Sequence, residues 1–144
     1  MWCKTTKNKS TSQFICQDSG SGLCVTFYKG NIITHLGSSG YSTGSKCILG
    51  DSYIENGWNH FVVLKTGTHT REVYCNGVKL TPTSNDYWSV YAGFFIGARN
   101  TSNGIPFYGY ISDLRAYATV LSEDDILELY HSSISLVNND TLLT

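Results

Sequence analysis

Residues 57–80 read GWNHFVVLKTGTHTREVYCNGVKL. From Trp58 onward both alternating registers are largely apolar, with Trp58, Val62 and Leu64 on one side and Phe61 and Val63 on the other. A strand apolar on both faces lies centrally in a sheet and is covered from both sides. Thr66-Gly67-Thr68-His69-Thr70 is a run of turn formers, and residues 71–75 return as the partner strand. Asn76-Gly77 then supplies two residues that tolerate positive φ, as a two-residue type I′ hairpin requires. Val78-Lys79-Leu80 carries the meander on. Local pairing, turn chemistry and burial agree, so this stretch is expected to form the centre of a sheet.

Composition bounds the rest. A chain of 144 residues fits one domain, and a domain of that size buries roughly 68–70% of its unfolded surface, so the core needs neither metal nor disulfide. Net charge is −1 with 15% charged residues and no basic run, which argues against nucleic acid as a partner. No apolar run approaches the roughly 20 residues of a membrane-spanning helix. The opening MWCKTTKNKS has no apolar core of a secretory signal. The expectation is therefore a mature piece, or a protein that leaves its cell by another route.

The five cysteines, Cys3, Cys16, Cys24, Cys47 and Cys75, are odd in number and show no C-x-x-C spacing. Mostly reduced thiols are expected, with one or two bridges as the alternative. The Asn-x-Ser/Thr sequons at Asn8, Asn100 and Asn139 read as chance in a chain so rich in Asn, Ser and Thr.

Working outward, residues 13–17, 23–28, 32–35 and 46–49 read as short strands between Gly-rich and Ser-rich turns. Residues 81–93 (TPTSNDYWSVYAG) form a long aromatic-bearing connection, and residues 94–97 a buried strand. Residues 107–117 (FYGYISDLRAY) are predicted as one long strand bent at Gly109. Ser122 caps the only helix, with Asp125 at its third position and acidic residues in the first turn. Ile126, Leu127, Leu129 and Tyr130 give that helix an apolar face, and it is expected to end near His131. Many short strands and one short C-terminal helix predict an all-β antiparallel sandwich. Residues 1–144 are taken as a single domain, with residues 132–144 as a C-terminal tail.

Three pieces of the chain resemble the laminin-G-like jelly rolls of the concanavalin A-like lectin/glucanase superfamily. Trp58-Asn59-His60-Phe61-Val62-Val63 is similar to that family's "W-x-H-hydrophobic" strand. Val73-Tyr74-Cys75-Asn76-Gly77 is similar to its "Y-x-N-G" hairpin. Ile96-Gly97-Ala98, residues 107–117, Leu121-Ser122 and residues 126–130 resemble "I-G … F-x-G-x-I-D-D-V-R-I-Y … L-S-x-x-E-I-x-x-L-Y". The resemblance covers about residues 10–131. It implies two antiparallel sheets in a jelly roll, with ligands on the concave face or in loops at its rim. Such proteins open with a strand ahead of the one carrying "W/F-x-K-T". Here Trp2-Cys3-Lys4-Thr5-Thr6 already looks like the later strand, so the first is expected to be missing. An uncovered edge is then expected, filled by residues 133–137 (SISLV) or by a neighbouring chain.

Signs of chemistry are few. Glu123, Asp125 and Glu128 match the Glu-x-Asp-x-(x)-Glu spacing of glycoside hydrolases on this fold. On a helix, however, those positions point in scattered directions and cannot form a carboxylate pair about 5 Å apart. His60 reads as a sheet histidine, and His35, His69 and His131 show no ligand spacing. Asp51, Asp86 and Asp113 are candidates for calcium at a loop rim, but no dense Asp/Asn run surrounds them. No cofactor and no catalytic residue is therefore expected.

Binding remains. Tyr is abundant, at 10 residues, and the loop Asn85-Asp86-Tyr87-Trp88-Ser89-Val90-Tyr91 combines stacking aromatics with polar partners. Amphipathic aromatics stack on the apolar faces of sugars while Asn and Asp bond the hydroxyls. Asn85, Asp86, Tyr87, Trp88 and Tyr91 are the expected ligand-binding residues, against the alternative that Trp88 and Tyr91 plug the end of the sandwich. The expected function is non-enzymatic recognition of a glycan or cell-surface glycoconjugate, outside the cell on a cell or virion surface. The alternative is an assembly module that docks onto other protein chains.

Overall fold

The computed structural model describes residues 1–8, 13–18, 23–28, 31–36, 45–67, 70–82, 94–98 and 105–138. In chain order the elements are β1 (Trp2–Thr5), β2 (Gln13–Asp18), β3 (Leu23–Tyr28), β4 (Asn31–Leu36) and β5 (Ser45–Ile48). After a 3-10 turn at Gly50–Ser52 come β6 (Asn59–Lys65), β7 (Arg71–Cys75), β8 (Val78–Lys79), β9 (Phe94–Ile96) and β10 (Gly109–Ser112). The helix α1 (Glu123–Asn138) follows. Two five-stranded antiparallel sheets form, one ordered β10-β1-β6-β7-β8 and the other β5-β4-β3-β2-β9. The expected all-β two-sheet sandwich with a C-terminal helix is what the chain adopts.

β6 is apolar on both faces because both faces are covered. Phe61 and Val63 join the core between the sheets, with Phe27 edge-on to Phe61 at 5.7 Å and 71°. Leu64, with Val62 beside it, packs instead against Tyr74 and Ile126 under α1. The hairpin after β7 has Asn76 at φ 52° and Gly77 at φ 80°, as a type I′ turn demands. Asn76 does more than turn the chain. Its Oδ1 accepts the His60 N–H at 2.8 Å, and its Nδ2 donates to Ser52 O at 2.7 Å and Asn59 Oδ1 at 3.0 Å. A Cβ on Gly77 would lie 3.0 Å from Leu127 Cδ1, so the helix packs directly over this turn.

The helix begins as expected and ends later. Ser122 Oγ accepts the Asp125 N–H at 3.1 Å, and the Asp125 carboxylate accepts the Ser122 N–H at 2.9 Å, which is a capping box. Instead of stopping near His131, α1 runs 16 residues to Asn138, so residues 133–137 are helical and fill no strand position. Their β-branched residues suggested a strand, yet Ile126, Ser133 and Val137 fall on one face at helical spacing, and all three are buried. Packing overrides propensity here. Trp2, 1% exposed, donates its Nε1–H to Ser133 Oγ at 2.9 Å and stacks on Tyr130 at 5.7 Å.

One further expectation is corrected at β10. Its strand covers only Gly109–Ser112, because Asp113 takes φ 49° and turns the chain away. Gly109 is required: a Cβ there would meet Lys4 O at 2.0 Å. The strand carrying Trp2 is also not an edge of its sheet. β1 lies inside its sheet, with Trp2 opposite Ser112 on one side and His60 on the other.

Candidate functional site

Asn85, Asp86, Tyr87, Trp88 and Tyr91 lie outside the described residues. The other candidates can be placed. Glu123, Asp125 and Glu128 sit exposed on α1, two of them in structural bonds. Glu123 accepts the Tyr74 hydroxyl at 3.2 Å and pairs with Lys79 at 3.3 Å. Asp125 is the capping carboxylate, and its bond to Ser122 holds its pKa below the usual range. Asp51 is exposed in the 3-10 turn, and Asp113 pairs with Arg115 Nε at 2.7 Å; Asp86 is not among the described residues. No three His, Cys, Asp or Glu side chains among the described residues converge as a metal site.

His60 is 4% exposed and clusters with Trp2 at 5.1 Å and Tyr130 at 6.2 Å between ring centroids. Its backbone is fully used by Asn76, but its Nδ1 makes no hydrogen bond to the protein. Burial, helped by the Met1 ammonium, pushes its pKa down to about 4. It is a neutral packing group at physiological pH and borders the space beside β6. Cys3, Cys47 and Cys75 are buried and outside any disulfide. Burial pushes Cys47 up to about 11, with Arg71 opposing, and Cys75 up to about 12. Such thiols stay protonated and unreactive.

The surface offers a different feature. Phe107 and Ile111 turn inward to the core, so alternation along the strand turns Tyr108 and Tyr110 outward. Tyr110 is 60% exposed and Tyr108 39%. Trp58, half-buried, lies 6.4 Å from Tyr110 between ring centroids. Lys4 stands opposite Tyr110 in the β1–β10 ladder, and Lys7 Nζ lies 5.7 Å from the Tyr108 ring centre. The result is an aromatic strip on the outer face of the sheet, flanked by cationic and hydroxyl side chains. The alternation that produces it is present in FYGYI.

A second feature is a cavity of about 550 Å³ beside β6, lined by Val63 and Leu64, by Leu114 and its neighbours, and by Leu129 and Ser133 of α1. Its apolar walls belong to both the sandwich core and the helix.

Among solved structures, the chain is similar to a crystal structure of an S-layer domain-containing protein (residues 221–444) from Clostridium thermocellum. The two are 22% identical with a TM-score of 0.44, over 88% of this chain and 66% of that one. Comparison with curated proteins found no match. No helix among the described residues is long and apolar enough to cross a membrane. A family model described as the concanavalin A-like lectin/glucanases superfamily matches residues 1–127. With that match over strands whose pairing is now seen, the chain belongs to the laminin-G-like branch of the concanavalin A-like lectin/glucanase superfamily.

Proposed function

We propose that the protein is a non-enzymatic carbohydrate-binding module acting outside the cell, on a cell or virion surface. The observation that carries this reading is the strip of exposed Tyr108 and Tyr110 beside half-buried Trp58, with Lys4, Thr6 and Lys7 around it. Sugar rings present C–H faces to aromatic rings and hydroxyls to neighbouring polar groups. The loop residues Asn85, Asp86, Tyr87, Trp88 and Tyr91 are proposed as a second contact region of the same chemistry. A non-enzymatic role is supported by the engagement of Glu123 and Asp125 in capping and ion-pair bonds on an exposed helix.

A glycan array followed by titration of the strongest hit tests the reading. Tyr110→Ala should weaken binding by about 2 kcal/mol, the loss typical of an aromatic anchor, with thermal unfolding nearly unchanged. Trp88→Ala, measured in parallel, reports on the loop. Loss in Tyr110→Ala supports the strip, and loss in Trp88→Ala alone moves the site to the loop. Full binding in both variants, or no glycan bound by the parent chain, overturns the proposal.

A further inference from the structure

Asn-Gly steps occur in the chain at Asn56, Asn76 and Asn103, and the structure describes the first two. Both hold the asparagine at positive φ, 58° at Asn56 and 52° at Asn76. They are secured very differently. The Asn76 side-chain amide bonds the His60 N–H, Ser52 O and Asn59 Oδ1, and Leu127 and Tyr130 pack over Gly77 behind it. Asn56 is exposed, and its side chain makes no hydrogen bond among the described residues. Its turn, from Ile54 to Gly57, has positive φ at the third residue, as a type II turn requires. The Gly57 N–H closes that turn on Ile54 O at 3.3 Å, beyond the usual N–H···O range. Asn59 clamps the two ends, accepting the Ile54 N–H and donating to Ile54 O and Gly57 O. Among the described residues, that single long bond is what holds the peptide unit between Asn56 and Gly57.

We propose that Asn56-Gly57 is a self-modification site, where loss of the side-chain amide turns Asn56 into aspartate or isoaspartate. The only co-reactant is water. With the turn open, the Gly57 nitrogen attacks Asn56 Cγ and gives up its proton, and the side-chain nitrogen leaves as ammonia. Water then opens the cyclic imide at either carbonyl, which returns aspartate or, through the other bond, isoaspartate. Glycine has no Cβ to crowd the attacking nitrogen. Because attack starts from the open turn, its rate follows the cost of local opening. At Asn56 that cost is one long hydrogen bond; at Asn76 it is the side-chain bonds together with the packing on Gly77. Isoaspartate adds one carbon to the main chain within a turn whose ends Asn59 clamps, two residues ahead of Trp58. A new carboxylate and a longer backbone thus arrive at the Trp58 end of the aromatic strip. The chemistry involves no sugar, so the proposal stands apart from the sugar reading.

The test incubates the folded 144-residue chain in mildly alkaline buffer below its unfolding temperature, with samples taken over time. Peptide mapping by mass spectrometry, with fragmentation that separates isoaspartate from aspartate, reads each asparagine. Asn56 should convert roughly tenfold or more faster than Asn76, as the additional hydrogen bonds at Asn76 hold its turn closed. The same incubation in concentrated urea should bring the two rates together, because both asparagines precede glycine and neither turn persists there. No conversion at Asn56, or conversion no faster than at Asn76, overturns the proposal. So does a rate ratio that survives in urea, which would assign the difference to neighbouring residues rather than to the fold.

Discussion

The two flanks of β6 are built from the same kind of strand and held together differently. On the β7 side the partner returns within a few residues, Lys65 pairing with Arg71, and side-chain bonds from Asn59 and Asn76 tie the following Asn76-Gly77 turn to Ser52, Ile54 and Gly57. On the β1 side the partners come from opposite ends of the sequence: Trp2 meets Ser112, and its indole meets Ser133. Loop closure costs entropy that grows only slowly with length, so distance in sequence does not by itself weaken the second flank. What distinguishes it is that its order depends on a few large side chains with no local turn to fix register.

The largest expected effect tests that dependence. Trp2→Ala removes a fully buried indole, its bond to Ser133 and its stacking on Tyr130 and His60. It should cost about 3–5 kcal/mol in urea unfolding. If the flanks are as different as proposed, amide exchange should accelerate at Tyr110 and Ile111 in β10 far more than at Val73 and Tyr74 in β7. Equal acceleration would show that the two flanks open together.

Acid offers a gentler way to strain the same junction. The folded protein keeps His60 neutral down to about pH 4, whereas the unfolded chain binds that proton near the ordinary value of about 6.5. Stability from this group is thus complete above about pH 6.5, is lost as pH falls toward 4, and changes no further below that. The loss is on the order of 3 kcal/mol at most. His60→Gln should remove that part of the pH dependence, and a slope that survives the substitution would assign it to other groups.

The smallest effect tests the local flank. Asn76→Ala leaves the His60 N–H without its acceptor and Ser52 O with only the weak Cys75 Sγ–H donor, a loss of about 2 kcal/mol. It also replaces a residue suited to φ 52°. Measured by chemical denaturation, this variant should leave exchange at Tyr110 and Ile111 near that of the parent. Spread of the damage into β10 would mean that the hairpin, not the indole, organises the sheet.

How much of this was legible in the sequence follows from the same division. Period-two alternation, Asn-Gly turn chemistry and the Ser122 and Asp125 capping pair act within a few residues, so β6, β7, the hairpin and the helix start could be read directly. The sandwich followed from their sum. The candidate strip was half legible, since Phe107 and Ile111 facing inward already places Tyr108 and Tyr110 outward, but which face stays uncovered depends on where α1 lies.

The sequence by itself determined the central strands, their turns, the capped helix start and the class of fold, because each rests on contacts between near neighbours. Only the tertiary structure decided that residues 133–137 are helical, that β10 stops at Asp113, and that β1 lies inside its sheet between β6 and β10. The physical reason is common to all three. Each depends on where Trp2 and its strand sit relative to residues more than a hundred positions away, and local propensity carries no information about a partner that distant.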